Sequence, residues 1–127
     1  MIRKKMSYPE LKVEMEKFAD KFKPRHLLIE DKASGQSVIQ DLKLSGYANI
    51  RAISPKLDKV TRFASIVAIF QAEKVFLPRK SAYKRELLRE LTTFPNAKND
   101  DIVDSVSQFL NFSKHMIYKN NVRIRTI

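Results

Sequence analysis

The amino-acid sequence predicts an α/β fold in which helices flank a partly parallel sheet. Two observations carry this prediction. Amphipathic helical patterns alternate with short apolar runs, and such runs are typical of strands that are buried on both faces of a sheet. The chain also has 127 residues, the length of one domain with a single core. We therefore predict one α/β domain over residues 1–127.

The first half of the chain predicts two helix and strand pairs. Apolar residues recur at helical spacing from Tyr8 to Phe22, and residues 26–30 are a continuously apolar run that ends in acid, as expected of a buried strand. Ser37 is predicted to cap a second helix, which ends at Gly46 because glycine favours a left-handed C-terminal turn. A second strand follows at about 49–53.

The second half predicts three more helices. The first of them covers Asp58 to Gln71, and residues 75–77 then form a short strand or an extended segment. Ser81 is predicted to cap the next helix, and a turn at 94–96 leads into the last one. Residues 119–127 are basic and alternating, which predicts either a late strand or a flexible basic tail.

The charge of the chain favours a polyanionic partner. Lysine and arginine number 25 against 14 acids, a formal net charge of +11, and nucleic acid is the commonest polyanion in cells. No apolar run approaches the roughly 20 residues of a membrane span, and no secretory signal follows the basic start. We therefore expect a cytoplasmic protein that binds nucleic acid and makes no membrane contact.

The same composition restricts the chemistry. Because the chain has no cysteine, disulfides and thiolate metal sites are excluded, and two isolated histidines, His26 and His115, disfavour both a zinc site and a histidine-based nucleophile. A metal would have to be held by oxygen ligands, which favours Mg²⁺ or Mn²⁺.

Three aspartates, Asp100, Asp101 and Asp104, lie around the start of the last predicted helix. Asp101 and Asp104 fall one turn apart on the polar face, and Asp100 is at or next to the N-cap. Aspartates at a helix start accept its free N–H groups and complement its dipole. Like charges at this spacing also repel unless a cation lies between them, so a metal or catalytic role stays open beside capping.

Glu30 stands at the carboxyl end of the first predicted strand, the end of a sheet beyond which open α/β folds bind ligands. Divalent ions held by shared carboxylates would activate a water and stabilise the leaving oxygen of a phosphodiester. The alternative is a strand-end acid paired with Lys32 or Arg25. Since strand alternation sends Glu30 and Asp31 to opposite faces, either of them could point inward.

Two groups of residues are candidates for contact with DNA phosphates. Lys32, Ser34 and Gly35 belong to a small loop beside the strand-end acid, which could offer backbone N–H groups but lacks a Walker pattern. Lys59 and Arg62 lie on the third predicted helix. The alternative for all these basic residues is a solvated surface.

Three segments together resemble the C-terminal nuclease domain of the tailed-phage terminase large subunit, and the resemblance runs from about Tyr8 to Phe112. The segments are "LLIEDKASGQSVIQDL", "DKVTRFASIVAIFQAEKVFLP" and "ELTTFPNAKNDDIVDSVSQFL". The resemblance implies an RNase H-like mixed sheet flanked by helices, and an endonuclease that cuts concatemeric DNA with Mg²⁺ or Mn²⁺ during genome packaging. It also implies double-stranded DNA and packaging components, such as the small terminase subunit or the portal, as partners.

The resemblance further implies roles for individual residues. Glu30 corresponds to the acid on the central strand, and Asp100 and Asp101 correspond to the catalytic acidic pair, either of which could bind metal directly. Asp104 fits the family pattern as a further metal-binding acid. The block at 58–62 matches the family's Asp-Lys-x-x-Arg sequence, which is expected to face DNA.

Two features depart from the family pattern. Asn99 stands where the family often has histidine before the acidic pair. An RNase H-like site also takes an aspartate from the first strand of the sheet, and only Met1 to Ser7 precede the first predicted helix. We therefore expect a domain that lacks the first strands, and both an active and an inactive chain stay open because the first-strand aspartate is missing. The alternative is a non-catalytic basic remnant of a prophage terminase that binds DNA or protein.

Overall fold

The computed structural model of the chain describes residues 1–32 and 34–119. The helices are α1 (Tyr8–Phe22), α2 (Ser34–Leu44), α3 (Lys59–Gln71), α4 (Lys84–Thr93) and α5 (Asp101–Lys119), and the strands are β1 (Leu27–Glu30) and β2 (Ile50–Ile53). The α/β class is therefore confirmed. Apart from Lys119, the last residue of α5, the predicted tail of 119–127 lies outside the described residues.

The chain divides into two compact units, Met1–Lys56 and Leu57–Ile127. The first contains α1, α2 and both strands, and the second contains α3, α4 and α5. The single domain over 1–127 stays a prediction.

In the first unit, β1 and β2 form a parallel pair joined through α2. Leu27 pairs with Ile50 and Glu30 with Ile53, so both strands end at the same edge. A parallel pair needs a crossover connection, and α2 supplies it. The core consists of five buried aliphatic side chains: Ile29, Val38, Ile39, Leu42 and Ile50. The parallel pairing expected from the sequence is thus confirmed for the two described strands.

The predicted start of α2 is wrong. The helix begins at Ser34, so Ser37 lies inside it, and Ser34 and Gly35 belong to its first turn instead of a loop. Glycine permits this early start because a Cβ at Gly35 would lie 2.0 Å from the carbonyl oxygen of Glu30. The predicted left-handed end of the helix is confirmed, since Gly46 has φ of 94°.

In the second unit, α5 packs against α3 and α4. The buried residues on these helices are Ile66, Leu87, Glu90, Ile102, Val103 and Ser107. In α5, Ile102 and Val103 of the first turn are buried, whereas the large apolar side chain of Phe109 is 58% exposed. Ser107 is also buried, and its hydroxyl is satisfied because it donates to the carbonyl oxygen of Asp104 at 3.0 Å.

One further local prediction for the second unit is wrong, and another is reduced to one of its two alternatives. Helix α4 begins at Lys84 after Tyr83, so Ser81 is not its cap; Tyr83 already has helical dihedral angles, and the preceding residues form a turn. Residues 75–77 lie outside any strand, so the strand alternative is wrong and the extended segment is not contradicted. Phe76 in this segment is 87% exposed, so the apolar run does not provide the burial that a strand in a sheet requires.

Candidate functional site

Asp100, Asp101 and Asp104 lie at the start of the last helix, where the sequence placed them. Asp101 is the first residue of α5 and Asp104 is in its first turn. Asp100 immediately precedes the helix, and its carbonyl oxygen accepts the N–H of Asp104 at 2.9 Å. The main chain of Asp100 therefore begins the hydrogen bonding of the helix, as a residue at the N-cap does.

Lys59 on α3 joins two of these carboxylates. Its ammonium nitrogen lies 2.8 Å from Oδ2 of Asp100 and 2.8 Å from Oδ2 of Asp104. The hydrogen bonds to Asp100 and then to Asp104 raise the pKa of Lys59 above its usual range, so the side chain is held in its charged form. The side chain of Lys59 is nevertheless 46% exposed.

Arg62 lies one turn further along α3 and holds the other oxygen of Asp104. Its Nη2 donates to Oδ1 of Asp104, and its Nη1 donates to the carbonyl oxygen of Leu57 at 2.6 Å. The side chains of Arg62 and Asp104 are only 12% and 18% exposed. Both oxygens of Asp104 are thus bound by cations of α3, and Arg62 is fixed at two points.

Polar contacts between α3 and α5 continue beyond the ion pairs. The side-chain nitrogen of Asn111 donates to the carbonyl oxygen of Arg62 at 3.2 Å, and the hydroxyl of Ser65 donates to Oδ1 of Asn111 at 2.8 Å. Lys114 donates to the carbonyl oxygen of Ser65. These contacts fix the two helices along their length, and so they set the position of the carboxylates relative to Lys59.

Glu90 is a functional position that the sequence analysis missed. It lies on α4, is 4% exposed, and its Oε1 accepts the N–H groups of Ile102 at 2.6 Å and Val103 at 3.2 Å. The start of α5 is thus capped by a carboxylate from another helix, and the helix dipole favours this negative charge. One signal was present: Glu90 lies three residues after Leu87, on the apolar face of α4.

The cap formed by Glu90 bears on whether the aspartates serve as helix caps or have a metal or catalytic role. Two of the first N–H groups of α5 are satisfied by Glu90, and the next is satisfied by the carbonyl oxygen of Asp100. The carboxylates of Asp100 and Asp104 are instead directed at the cations of α3. In the structure these two side chains therefore form ion pairs with basic residues of α3, and their metal or catalytic role stays a prediction.

Glu30 lies at the end of β1 in the first unit. Its Oε1 is 2.7 Å from the ammonium of Lys32, which is the ion pair considered as the alternative to a ligand role. The N–H of Asp31 donates to the carbonyl oxygen of Ile53 at 2.8 Å, so the strand pairing continues past Glu30. The carboxylate of Asp31 accepts a long hydrogen bond of 3.4 Å from the hydroxyl of Ser54.

Lys32 and Gly35 are joined beside this acid, because the N–H of Gly35 donates to the carbonyl oxygen of Lys32 at 2.7 Å. Ser34 is exposed at the start of α2. Contact of Lys32, Ser34 and Gly35 with DNA stays a prediction.

The carboxylates of Asp100 and Asp104 are oxygen ligands of the type that a hard divalent cation binds. Asp100 and Asp104 converge on one positive charge, the ammonium of Lys59, and carboxylate oxygens are the ligands that Mg²⁺ and Mn²⁺ prefer. Within residues 1–32 and 34–119, however, no three carboxylate or imidazole groups come together as a metal site. Asp100 and Asp104 are instead paired with the basic side chains of Lys59 and Arg62.

Comparison with known proteins identifies the family. Residues 1–112 match the family described as the terminase RNaseH-like domain, which is most of the chain. No curated protein and no solved structure matches the sequence. In the described part of the chain, no helix combines the length and the apolar character that crossing a membrane requires. An α/β chain with a parallel strand pair agrees with this family, and the chain belongs to the terminase RNaseH-like domain family.

Proposed function

We propose that this chain is the nuclease domain of a phage terminase large subunit, a metal-dependent endonuclease that cuts concatemeric DNA during genome packaging. The observation that carries the proposal is the convergence of Asp100 and Asp104 on one cation, at the start of a helix in a chain of the terminase RNaseH-like family. A net charge of +11 in the same chain supplies the attraction for DNA.

The carboxylates have defined roles in this proposal. Glu30, Asp100 and Asp101 are the catalytic carboxylates, and Asp104 is a further ligand for the metal. Bound Mg²⁺ or Mn²⁺ supplies an activated water and neutralises the charge that develops on the leaving oxygen. The side chains themselves hold and orient the cations, and Glu90 keeps the start of α5 in place.

The basic residues position the substrate in this proposal. Lys59, Arg62, Lys32, Ser34 and Gly35 contact the phosphates of double-stranded DNA, which orient the duplex without reading its sequence. Further partners are packaging components such as the small terminase subunit or the portal, and the site of action is the cytoplasm of the bacterial host.

Cleavage of supercoiled plasmid by the purified chain tests the proposal. We expect nicking in Mn²⁺ or Mg²⁺ that chelator abolishes and that Glu30→Gln and Asp101→Asn both eliminate. Glu73→Gln is the matched control, because Glu73 is an exposed acid in the turn after α3 and its loss removes the same charge. Nicking that persists in both site variants, or that Glu73→Gln removes equally, would contradict the assignment of the site.

A second candidate function is a non-catalytic basic module that binds DNA or protein. The observation that favours it is that Asp100 and Asp104 are bound by Lys59 and Arg62, while the described residues contain no cluster of three acids. This module would retain plasmid in a gel-shift experiment equally in chelator and in Mn²⁺, and would not nick it. Binding that requires a divalent cation would exclude this second function.

A further inference from the structure

We propose that Lys59 acts as an exchangeable internal cation: it holds the Asp100 and Asp104 pair when no metal is bound, and it moves to a DNA phosphate when a divalent cation takes its place. This inference rests on the proposed function and adds a control mechanism to it. The consequence is that divalent metal and DNA bind cooperatively to this domain.

The geometry makes Lys59 and a metal ion compete for the same oxygens. The ammonium lies 2.8 Å from Oδ2 of each aspartate. A divalent cation held by Asp100 and Asp104 would need the same oxygens that the ammonium now contacts. Two cations this close repel strongly, so the binding of one requires the departure of the other.

Of the two basic residues at Asp104, Lys59 is the one that can leave. Arg62 is 12% exposed and also donates to the carbonyl oxygen of Leu57, so its departure would break a main-chain contact. Lys59 is held by carboxylates and is 46% exposed, so its ammonium can turn toward solvent on a flexible four-carbon stem. Arg62 thus holds Asp104 in position while Lys59 exchanges.

The position of Lys59 on α3 links this exchange to DNA. Because Lys59 is the first residue of α3, a displaced ammonium would remain near the acids, where it could contact a phosphate of DNA bound at the proposed site. A phosphate that attracts Lys59 removes the competitor from the acids and so raises their affinity for metal. By thermodynamic reciprocity, bound metal raises the affinity of the domain for DNA by the same factor.

Calorimetric titration of the full chain with Mn²⁺ tests this inference without any activity measurement. We expect Lys59→Met to bind Mn²⁺ about tenfold more tightly than the wild-type chain, a coupling of ordinary size for two competing ligands. Lys59→Arg keeps a cation at the pair and is expected to bind no more tightly than wild type. Lys74→Met is the matched control: it removes one exposed lysine of the same unit and should have little effect.

The titration is repeated with a short DNA duplex at saturation, and a gel afterwards confirms that the duplex is intact. We expect DNA to tighten Mn²⁺ binding by a larger factor in the wild-type chain than in Lys59→Met, because the variant has no internal cation to remove. Lys59→Gln supplies the same loss of charge should Lys59→Met fail to fold, and circular dichroism confirms folding for each chain.

The outcomes separate this inference from the proposed function. If wild type binds Mn²⁺ and nicks plasmid, but Lys59→Met binds no more tightly than Lys74→Met, only the exchange by Lys59 is overturned. If no chain binds Mn²⁺ and none nicks plasmid, the proposed function fails and this inference fails with it. Tighter binding in Lys59→Met, with an unchanged affinity in Lys59→Arg, supports the exchange.

Discussion

The carboxylate of Glu90 accepts the main-chain N–H of Ile102 at 2.6 Å across 12 residues of sequence. This contact ties the start of α5 to α4, so the helix that carries Asp101 and Asp104 begins at a fixed place. A buried carboxylate is costly to keep in a protein interior unless it is hydrogen-bonded, and here two N–H groups at the positive end of a helix compensate it.

The first prediction concerns this cap. Glu90→Ala leaves the N–H groups of Ile102 and Val103 without their acceptor in a buried place, and we expect a loss of about 1–3 kcal/mol in the free energy of unfolding. Glu90→Gln keeps a carbonyl oxygen at the same place and is expected to cost less, because it loses the charge but not the acceptor. Equilibrium unfolding in urea measures both. Equal losses in the two variants would show that the charge, and not the acceptor, is what stabilises the helix start.

A second prediction separates the two cations of α3 by their burial. Arg62→Met leaves the half-buried Asp104 without its guanidinium partner and removes a bond to the main chain, so we expect a loss of about 1–3 kcal/mol in unfolding free energy. Lys59→Met removes a pair that is largely exposed on the lysine side, and we expect a loss of at most about 1 kcal/mol. Urea unfolding of the two variants side by side checks this order. A cost for Lys59→Met as large as that for Arg62→Met would contradict an exchangeable Lys59.

The sequence could predict those ends of helices and strands that are set by residues at or next to the boundary itself. The start of α1 follows from Pro9, which fits the first turn, and the start of α3 follows from Asp58, whose side chain accepts the N–H of Thr61 at 3.0 Å. The end of β1 at Glu30 follows from the change from apolar to acidic residues. Each of these signals lies within a few residues of the boundary that it sets.

The contacts that define the site could not be predicted in this way, because they join residues far apart in sequence. Lys59 and Asp100 are 41 residues apart, and the sequence analysis assigned one to DNA and the other to metal without pairing them. Glu90 was missed because capping of a helix by a side chain from another helix depends on tertiary packing. The start of α2 was misplaced because the approach of Gly35 to a strand carbonyl leaves no local pattern.

A third prediction follows from that approach. Gly35→Ala places a Cβ where the carbonyl oxygen of Glu30 lies, 2.0 Å away, and main-chain atoms must shift to accommodate it. Alanine favours a helix over glycine by about 1 kcal/mol, but we expect the clash to outweigh this gain and to destabilise the protein by roughly 1–3 kcal/mol. The difference in thermal midpoint from wild type measures the effect.

The control for Gly35 is Ser34→Ala, which changes the neighbouring position of the same helix turn and adds no atom near the strand. Gly46→Ala is a second comparison in which the loss of stability has another cause. Open space surrounds Gly46, so the substitution destabilises the protein through the φ of 94° and not through a clash. If Gly35→Ala proves as stable as Ser34→Ala, the close approach of α2 to β1 does not constrain this position.

The last prediction concerns the pH dependence of stability at the start of α3. The hydroxyl and the N–H of Thr61 both donate to the carboxylate of Asp58 and lower its pKa below the ordinary value of about 3.8. Because the pKa is lower in the folded chain than in the unfolded chain, this contribution to stability is complete above the ordinary pKa and is lost as the pH falls through the folded value. We therefore expect the thermal midpoint to fall below about pH 4.

Other carboxylates titrate in the same range, so the measurement compares the wild-type chain with Asp58→Asn, which keeps an oxygen acceptor for Thr61 but has no proton to gain. The wild-type chain should be the more stable one at neutral pH, since a charged acceptor at the positive end of a helix binds the N–H more strongly than a neutral amide. This difference should shrink as the pH falls, because protonation removes the charge of Asp58 and leaves two neutral acceptors. A difference that stays constant from neutral pH to below about pH 3 would mean that the charge of Asp58 does not stabilise α3.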